Sequence, residues 1–191
     1  MPVNVIQKGK VILGKNVVIG DNVTLGHRDD GTLEIGDNAV IRSGSIIYSD
    51  VKIGSNFRTG HNALIREKTV IGNNCLIGTN AVVDGSCTIG NNLSAQTNVY
   101  ITTYSVIEDD VFMGPCSVTT NDKYMHAGAE LKGPVLKKGC RLGANCTILP
   151  GVVVGEGAVI GSGSVVVNNV KPGAVMVGNP AREIKRSTNI V

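Results

Sequence analysis

The chain has 191 residues, 42% of them hydrophobic, with 25 glycines, two Phe and no Trp. This composition lacks the large aromatic fillers of an ordinary globular core and favours a narrow core of aliphatic side chains. The net charge of +3 comes from interspersed acids and bases, which argues against the basic stripe of a nucleic-acid-binding protein.

The N-terminus shows no targeting pattern. Residues 1–4 lack a charged start followed by an apolar stretch, and no apolar run in the chain approaches the roughly 18 residues of a membrane helix. We therefore predict a soluble, cytoplasmic protein with no membrane partner.

A six-residue period dominates the chain from Ile35 to Thr119. Twelve of the fifteen residues in this phase are large aliphatics. A period of six fits neither a helix nor a simple strand, and it is typical of a chain wound in coils with short stacked faces. A hexapeptide with Gly in its second place, and often Asn in its fourth, recurs along the chain, and both residues tolerate the left-handed backbone of a tight corner.

Three hexapeptides per coil agree with the 18-residue spacing of Gly36, Gly54, Gly72 and Gly90. We predict about eight triangular coils in a prism roughly 35 to 40 Å long. The predicted coils start near Leu13, Ile35, Ile53, Ile71, Ile89, Ile107, Leu136 and Val154.

The period is interrupted twice and then ends. Ten residues separate Leu25 from Ile35, which predicts a bulge over residues 27–31. The larger interruption, between Thr119 and Leu136, predicts an extruded loop at about residues 120–135, and such loops on rigid scaffolds commonly carry function. The expected domains are a β-helix over residues 1–172 and a C-terminal cap or tail over residues 173–191.

Four of the five cysteines occupy a slot that Ala, Ser and Val fill elsewhere in the repeat. Because a buried Cys behaves as a small hydrophobe, we predict that Cys75, Cys87, Cys140 and Cys146 serve in packing. The pattern leaves Cys116 undetermined.

Several segments together resemble the hexapeptide-repeat acyltransferases over nearly the whole chain. They are the hexapeptides, the single loop, the runs 142–155 and 160–166, and the ending Gly178-Asn179-Pro180-Ala181-Arg182. The resemblance implies a left-handed parallel β-helix, a homotrimer, and an acyl-CoA thioester in the cleft between two subunits. The handedness comes from the resemblance alone, because parallel crossovers are usually right-handed.

The resemblance also bears on the acceptor. Sugar O-acetyltransferases of this family place a catalytic His near the start of the loop, where this chain has Asn121. A sugar hydroxyl needs a base when it attacks, whereas a neutral amine does not. Gln96-Thr97-Asn98-Val99, residues 108–115 and Thr120-Asn121 are similar to N-acetyltransferases of nucleotide-linked amino sugars. The implied reaction is acetyl-CoA-dependent N-acetylation, with sugar O-acetylation by His126 as general base as the alternative.

The catalytic candidates are Asn121, Asn98 and His126. Asn121 could orient the nucleophile or donate to the developing oxyanion, or be a plain loop residue. Asn98 could hold the amine or the thioester carbonyl, yet it also continues a corner series with Asn62 and Asn80. His126 is the fallback base or a solvated loop residue.

The resemblance places CoA against the backbone at Ala144, Gly161 and Ser162. It makes Arg182 a candidate for a CoA phosphate contact, with Lys185 as a weaker one. A solvated basic terminus is the alternative for these two cations.

The acceptor-binding candidates are Gln96, Tyr104, His61 and Arg66. By register His61 lies two coils from Asn98, within reach of a long acceptor. Arg66 stands where Gly is common and could meet a diphosphate. Surface roles are the alternatives for His61 and Arg66.

Two other classes of function fit the sequence less well. A zinc carbonic anhydrase-like protein would need three His between subunits, but His27, His61 and His126 fall on different corners or in the loop, so we expect no metal. A non-catalytic β-helix scaffold would suit a strict repeat, and the inserted loop argues against it.

Overall fold

The computed structural model describes residues 4–28 and 31–185, and within them the chain is an all-β solenoid of three parallel sheets. Each coil passes from sheet B to sheet C to sheet A. This arrangement confirms the predicted β-helix.

The strands of each sheet stack in chain order. Sheet A contains β1 (Ile6–Gln7), β4 (Thr24–His27), β7 (Ile46–Tyr48), β10 (Leu64–Ile65), β13 (Val82–Val83), β16 (Tyr100–Ile101), β19 (Val118–Thr119), β22 (Thr147–Ile148) and β25 (Val165–Val166). Sheet B contains β2 (Lys10–Leu13), β5 (Thr32–Ile35), β8 (Val51–Ile53), β11 (Thr69–Ile71), β14 (Thr88–Ile89), β17 (Val106–Ile107), β20 (Val135–Leu136) and β23 (Val153–Val154). Sheet C contains β3 (Val18–Ile19), β6 (Val40–Ile41), β9 (Arg58–Thr59), β12 (Leu76–Ile77), β15 (Ser94–Ala95), β18 (Phe112–Met113), β21 (Arg141–Leu142), β24 (Val159–Ile160), β26 (Val175–Val177) and β27 (Arg182–Ile184).

The six-residue phase is the inward-facing row of the solenoid. All fifteen phase residues from Ile35 to Thr119 are buried, because side chains alternate between the two faces of a strand and the phase residue of each strand points inward. The eight predicted coil starts are the last residues of the eight strands of sheet B. β1 and the C-terminal strands extend the solenoid at either end, to about nine turns.

The three edges between the sheets are named by the sheets that they join. The BC edge includes residues 54–56, 72–74 and 90–92, the CA edge includes residues 60–62, 78–80 and 96–98, and the AB edge includes residues 66–68, 84–86 and 102–104. Corner asparagines have positive φ, for example 58° at Asn74 and 55° at Asn80, which Asn tolerates better than most residues.

Asparagine side chains form a ladder along the BC edge. Each Nδ2 donates to the Oδ1 of the residue 18 positions later, from Asn56 to Asn74 at 2.9 Å, then to Asn92 at 3.1 Å. The ladder ends on the carboxylate of Asp110, which accepts from Asn92 at 2.8 Å. The amides of this edge therefore satisfy one another and serve the stacking of coils.

The first interruption of the period lies on the AB edge. The pairing of β4 with β7 shifts register between Leu25 and His27, as a bulge requires. Asp29 and Asp30, inside the predicted bulge, lie outside the described residues.

Cys75, Cys87, Cys140 and Cys146 are buried free thiols, as predicted, and Cys116 is exposed. Burial disfavours the thiolate and raises the pKa of Cys87 to about 11 and of Cys140 to about 12. The four buried cysteines therefore serve in packing.

The C-terminal segment stays attached to the solenoid. β26 continues sheet C parallel to β24, and β27 returns antiparallel to β26. Between them the chain crosses to sheet A, where Ala181 N donates to Val165 O at 2.8 Å.

The domain boundary at residue 172 stays a prediction. Over the residues described, the chain has no helix long and apolar enough to cross a membrane.

Candidate functional site

The extruded loop, residues 120–134, leaves the AB edge between β19 and β20. Its base is closed by the backbone, since Lys132 N donates to Asn121 O at 2.8 Å. Gly151 N of the following coil donates in turn to Lys132 O at 2.9 Å. A cavity of about 290 Å³ beside this base is lined by Asn121, Lys123, Tyr124, Glu130, Lys132, Pro150 and Gly151.

Asn121 lies at the base of the loop and is half-buried. Its Nδ2 donates to Thr103 O at 3.4 Å, a long hydrogen bond that a ligand could replace. The bond holds the Asn121 amide at the edge of the cavity. It uses only the amide nitrogen, and the side-chain oxygen takes no part in it. This position fits a group that orients a nucleophile or donates to an oxyanion.

His126 lies on the exposed part of the loop. Its ring stacks on Tyr124 with the ring centroids 6.1 Å apart, and Nδ1 lies 3.1 Å from Ala127 O. Both contacts are local to the loop.

Asn98 lies on the CA edge, exposed, with φ of 58°. In the same column Asn62 Nδ2 donates to Asn80 Oδ1 at 3.3 Å, but the Nδ2 of Asn98 faces Cys116 Sγ at 3.8 Å. A thiol is a weak acceptor. Asn98 therefore has the corner backbone of its series, with an amide less firmly held than in the lower coils.

Two acceptor-binding candidates share the CA edge with Asn98. Gln96 Nε2 donates to Ser94 Oγ at 2.8 Å. His61 is exposed, and its backbone N–H donates to Thr79 Oγ1 at 3.3 Å. Backbone hydrogen bonds between neighbouring coils set the register of this edge. In that register His61 lies in one column with the predicted residues, which are Thr79, Thr97, Pro115, Ala144 and Ser162.

The CoA candidates lie at the upper end of the same edge. Gly161 N donates to Met176 O at 2.7 Å, and a Cβ at residue 161 would approach Val177 Cγ1 to 2.8 Å. The C-terminal hairpin therefore packs directly against Gly161. Arg182 and Lys185 belong to this hairpin or follow it; Arg182 Nη1 donates to Ala181 O at 3.0 Å, and Lys185 is exposed.

A cavity of about 320 Å³ lies on sheet C next to this corner. Its lining includes Gly143, Gly161, Ser162 and Arg141. The sequence reasoning did not single out Arg141, although it stands where Leu76, Ser94 and Phe112 face outward in lower coils. Arg58, which pairs with Leu76 from one coil below, is a second cation in the same row, so the charge pattern of the row does not by itself mark Arg141.

The AB edge carries a network of charged and polar side chains. Arg66 donates through Nη1 to Asp84 Oδ1 at 2.9 Å and through Nη2 to Glu67 Oε1 at 3.2 Å. Tyr100 Oη donates to Asp84 Oδ2 at 2.8 Å. Arg28 pairs with Glu67 at 3.2 Å.

This network shifts the titration of its members. Burial and the hydrogen bond to Asp84 raise the pKa of Tyr100 to about 12. Hydrogen bonds to Glu67 and Asp84 raise the pKa of Arg66. Burial opposes ionisation of Glu67, but a backbone hydrogen bond and Arg66 outweigh it, so the pKa of Glu67 lies below its usual range. Arg66 is thus an anchored cation, and its proposed contact with a diphosphate stays a prediction.

The sequence pattern does not single out Asp84, Tyr100 or Thr103. The 18-residue length of a coil is a signal for Asp84, because Arg66 and Asp84 are 18 residues apart and opposite in charge. Tyr104, which the sequence did nominate, is a half-exposed corner residue with φ of 66°.

The candidate residues divide between two edges of one sheet. Asn98, Gln96, His61 and the CoA candidates border sheet A on the CA edge, while Asn121, Arg66 and Tyr104 border it on the AB edge. About four residues of extended chain cross the sheet, so the edges are ~13 Å apart. A single subunit does not bring Asn98 and Asn121 together.

No group of three or more His, Cys, Asp or Glu side chains arranged to hold a metal ion occurs among the described residues. His61 lies on the CA edge, His27 on the AB edge and His126 in the loop.

Two family profiles match the chain. The profile described as bacterial transferase hexapeptide (six repeats) matches residues 133–168. The profile described as hexapeptide repeat of succinyl-transferase matches residues 10–49 and 68–103. Together the matched segments cover more than half of the sequence. The chain belongs to the hexapeptide-repeat transferases.

Solved structures of other transferases share this fold. A UDP-N-acetylglucosamine acyltransferase from Bacteroides fragilis is similar with a TM-score of 0.72 and 18% identity, over 94% of this chain and 72% of that one. A mutant GDP-perosamine N-acetyl transferase from Caulobacter crescentus, in complex with CoA and GDP-perosamine, is similar with a TM-score of 0.57 and 16% identity, over 74% of this chain. The match covers 57% of that transferase. A search of curated proteins gives no significant match.

Proposed function

We propose that this hexapeptide-repeat transferase moves an acetyl group from acetyl-CoA to the amine of a nucleotide-linked amino sugar, and that it works as a homotrimer. The observation that carries the proposal is the division of the candidate residues between the CA and AB edges. A second copy can place its AB edge and loop opposite the CA edge of the first, which closes a cleft that one subunit leaves open. The fold shared with a transferase whose structure holds CoA and GDP-perosamine supports the substrate classes.

In the proposed reaction the neutral amine attacks the thioester carbonyl. A C–N bond forms as the C–S bond breaks, the amine nitrogen loses a proton, and CoA leaves as a thiolate that is protonated to the free thiol. Asn98 and Asn121 hold the amine and stabilise the tetrahedral oxyanion with amide N–H groups. The backbone at Ala144, Gly161 and Ser162 supports CoA, and Arg182, Arg141 and Lys185 supply cations for its phosphates.

An amine acceptor explains why Asn121 can stand where other members use a His. A neutral amine needs no strong base to become a nucleophile, whereas a hydroxyl does. The loop holds His126 on its exposed side, in contact with Tyr124 and Ala127.

The test uses the full chain with acetyl-CoA and matched pairs of nucleotide-linked sugars that carry either an amine or a hydroxyl at the same carbon. We expect free thiol and an acetamide product with amine acceptors only, at a rate that rises with pH as the acceptor amine becomes neutral. Thiol release with the hydroxyl sugars alone would contradict the proposal.

The matched variants are His126→Ala and, in the same loop, Met125→Ala, whose side chain is 84% exposed and lies outside the lining of the loop cavity. We expect His126→Ala to keep the amine-dependent rate within about threefold, since a general base would contribute 10²-fold or more. Loss of activity in His126→Ala, with Met125→Ala unaffected, would establish the base-dependent alternative. Light scattering tests the assembly, for which we expect three times the subunit mass of 19.9 kDa.

A further inference from the structure

Both ends of the loop rest on one corner of the AB edge, residues 102–105, which we call the loop seat. The incoming end lies over the seat through the hydrogen bond from Asn121 Nδ2 to Thr103 O. At the outgoing end Gly133 packs directly on the backbone of the seat, because a Cβ at residue 133 would collide with Tyr104 and Ser105 backbone atoms. The position of the loop base therefore depends on the position of the seat.

The seat is fixed internally on its buried side. Ser105 Oγ donates to Thr102 O at 2.7 Å, and Thr102 N donates to Thr119 Oγ1 at 2.8 Å. Thr119 is the residue from which the loop departs. These contacts set the inner half of the corner and leave its outer half, Thr103 and Tyr104, to other partners.

Asp84, one coil below, holds the outer half. Thr103 Oγ1 lies 2.8 Å from Asp84 O and 3.2 Å from Asp84 Oδ2, so its hydroxyl proton is shared between the two acceptors. The Asp84 side chain is 24% exposed, which makes a charge-assisted hydrogen bond stronger than it would be in open solvent.

The Asp84 carboxylate is itself anchored from two sides. Arg66 donates to Oδ1 from the coil below, and Tyr100 donates to Oδ2 from the middle of sheet A. Arg66 also lies over the ring of Tyr48, with Cζ 5.9 Å from the centroid. A chain of contacts thus runs from Tyr48 through Arg66 and Asp84 to Thr103 and the loop.

We infer that Asp84 is a positioning residue that orients Asn121 by holding the loop seat through Thr103. The inference rests on the proposed function for its catalytic meaning and on the geometry alone for its structural meaning. Asp84 touches no reacting group; it acts through the seat on which the loop base lies.

The structural test is hydrogen exchange of the amides of residues 121–133 in Asp84→Asn, which keeps the shape and removes the charge. We expect exchange roughly tenfold faster at the base of the loop, including the Lys132 amide, because the charged acceptor that holds the seat is lost. The matched control is Asp109→Asn on the BC edge, where the carboxylate likewise accepts from the coil below, from Asn91 N at 2.6 Å. It should leave exchange in residues 121–133 unchanged.

Thr103→Val keeps the test decisive if Asp84→Asn disturbs the edge more widely. This substitution removes the hydroxyl at constant size and leaves the contacts of Asp84 with Arg66 and Tyr100. It should also speed exchange at the loop base. Ultraviolet titration reports separately on Asp84, because the pKa of Tyr100 should fall from about 12 toward its ordinary value in Asp84→Asn only. Unchanged exchange at the loop base in both variants, with the Tyr100 titration shifted in Asp84→Asn, would overturn the inference.

The catalytic readout separates positioning from general stability. In Asp84→Asn we expect kcat to fall roughly tenfold while the calorimetric affinity for CoA stays within twofold of wild type, because the CoA candidates lie on the other edge. An equal loss of CoA affinity and kcat would indicate a merely structural role and contradict the inference. If the wild type transfers nothing to any amine yet exchange rises as described, the proposed function fails and the seat remains established.

Discussion

Asn121→Ala should lower kcat for amine acetylation by about 10²-fold and leave the affinity for CoA unchanged. Removal of one oxyanion donor typically costs 10² to 10³ in kcat, and the lower end applies because Asn98 remains. The Asn121 backbone contact with Lys132 does not involve the side chain, so the loop base should stay closed. Steady-state rates by thiol release and CoA titration by calorimetry measure the two effects.

The control for this loss is Asn56→Ala. Asn56 is an exposed corner residue with positive φ, whereas Asn121 is half-buried, and Asn56 belongs to the amide ladder of the BC edge. We expect a small loss of stability and an unchanged rate. Equal losses of rate in the two variants would mean that Asn121 has no special role.

Phe57→Ala should destabilise the fold by about 3 to 5 kcal/mol, the usual range for removal of a fully buried Phe. Phe57 is completely buried, at the start of the sheet C face in a column with Ala39 and Cys75. Those neighbours are too small to fill the space left behind, so the cavity should persist. Urea unfolding followed by circular dichroism measures the change.

A matched substitution at the surface gives the reference for that loss. Val18 is 59% exposed on the outer face of the same sheet, and Val18→Ala should change the unfolding midpoint little. A loss below about 1 kcal/mol in Phe57→Ala would show that the column relaxes around the vacancy.

The fold was largely predictable because its core follows a single rule. Neighbouring strand residues alternate inward and outward, so the inward row appears in the sequence as the phase from Ile35 to Thr119. The same six-residue spacing predicts the last residues of all eight sheet B strands. The same six-residue spacing predicted that four cysteines lie in the core. The spacing does not predict a Phe at position 57. The side-chain volume that fits an inward position depends on the residues above and below it, and here the small Ala39 and Cys75 leave room for a ring.

The candidate site was predictable in parts and not as an arrangement. Register placed His61 in the column of Ala144 and Ser162, and separated Asn121 from the corner asparagines. The contacts of Asp84 with Arg66, Tyr100 and Thr103 depend on side-chain conformations, which a spacing does not determine. The seating of the loop on residues 102–105 depends on where a non-repetitive segment returns to the solenoid.

Complementation between two inactive variants tests most directly whether the site is shared between subunits. Asn98→Ala and Asn121→Ala are purified separately, mixed in equal amounts under mild denaturation and reassembled, and the rate of amine acetylation is compared with reassembled wild type. If the CA edge of one subunit works with the loop of the next, about a quarter of the interfaces combine intact Asn98 with intact Asn121, and about a quarter of the wild-type rate should return. A mixture that stays as inactive as its parents, although the wild type regains full rate, would contradict a shared site.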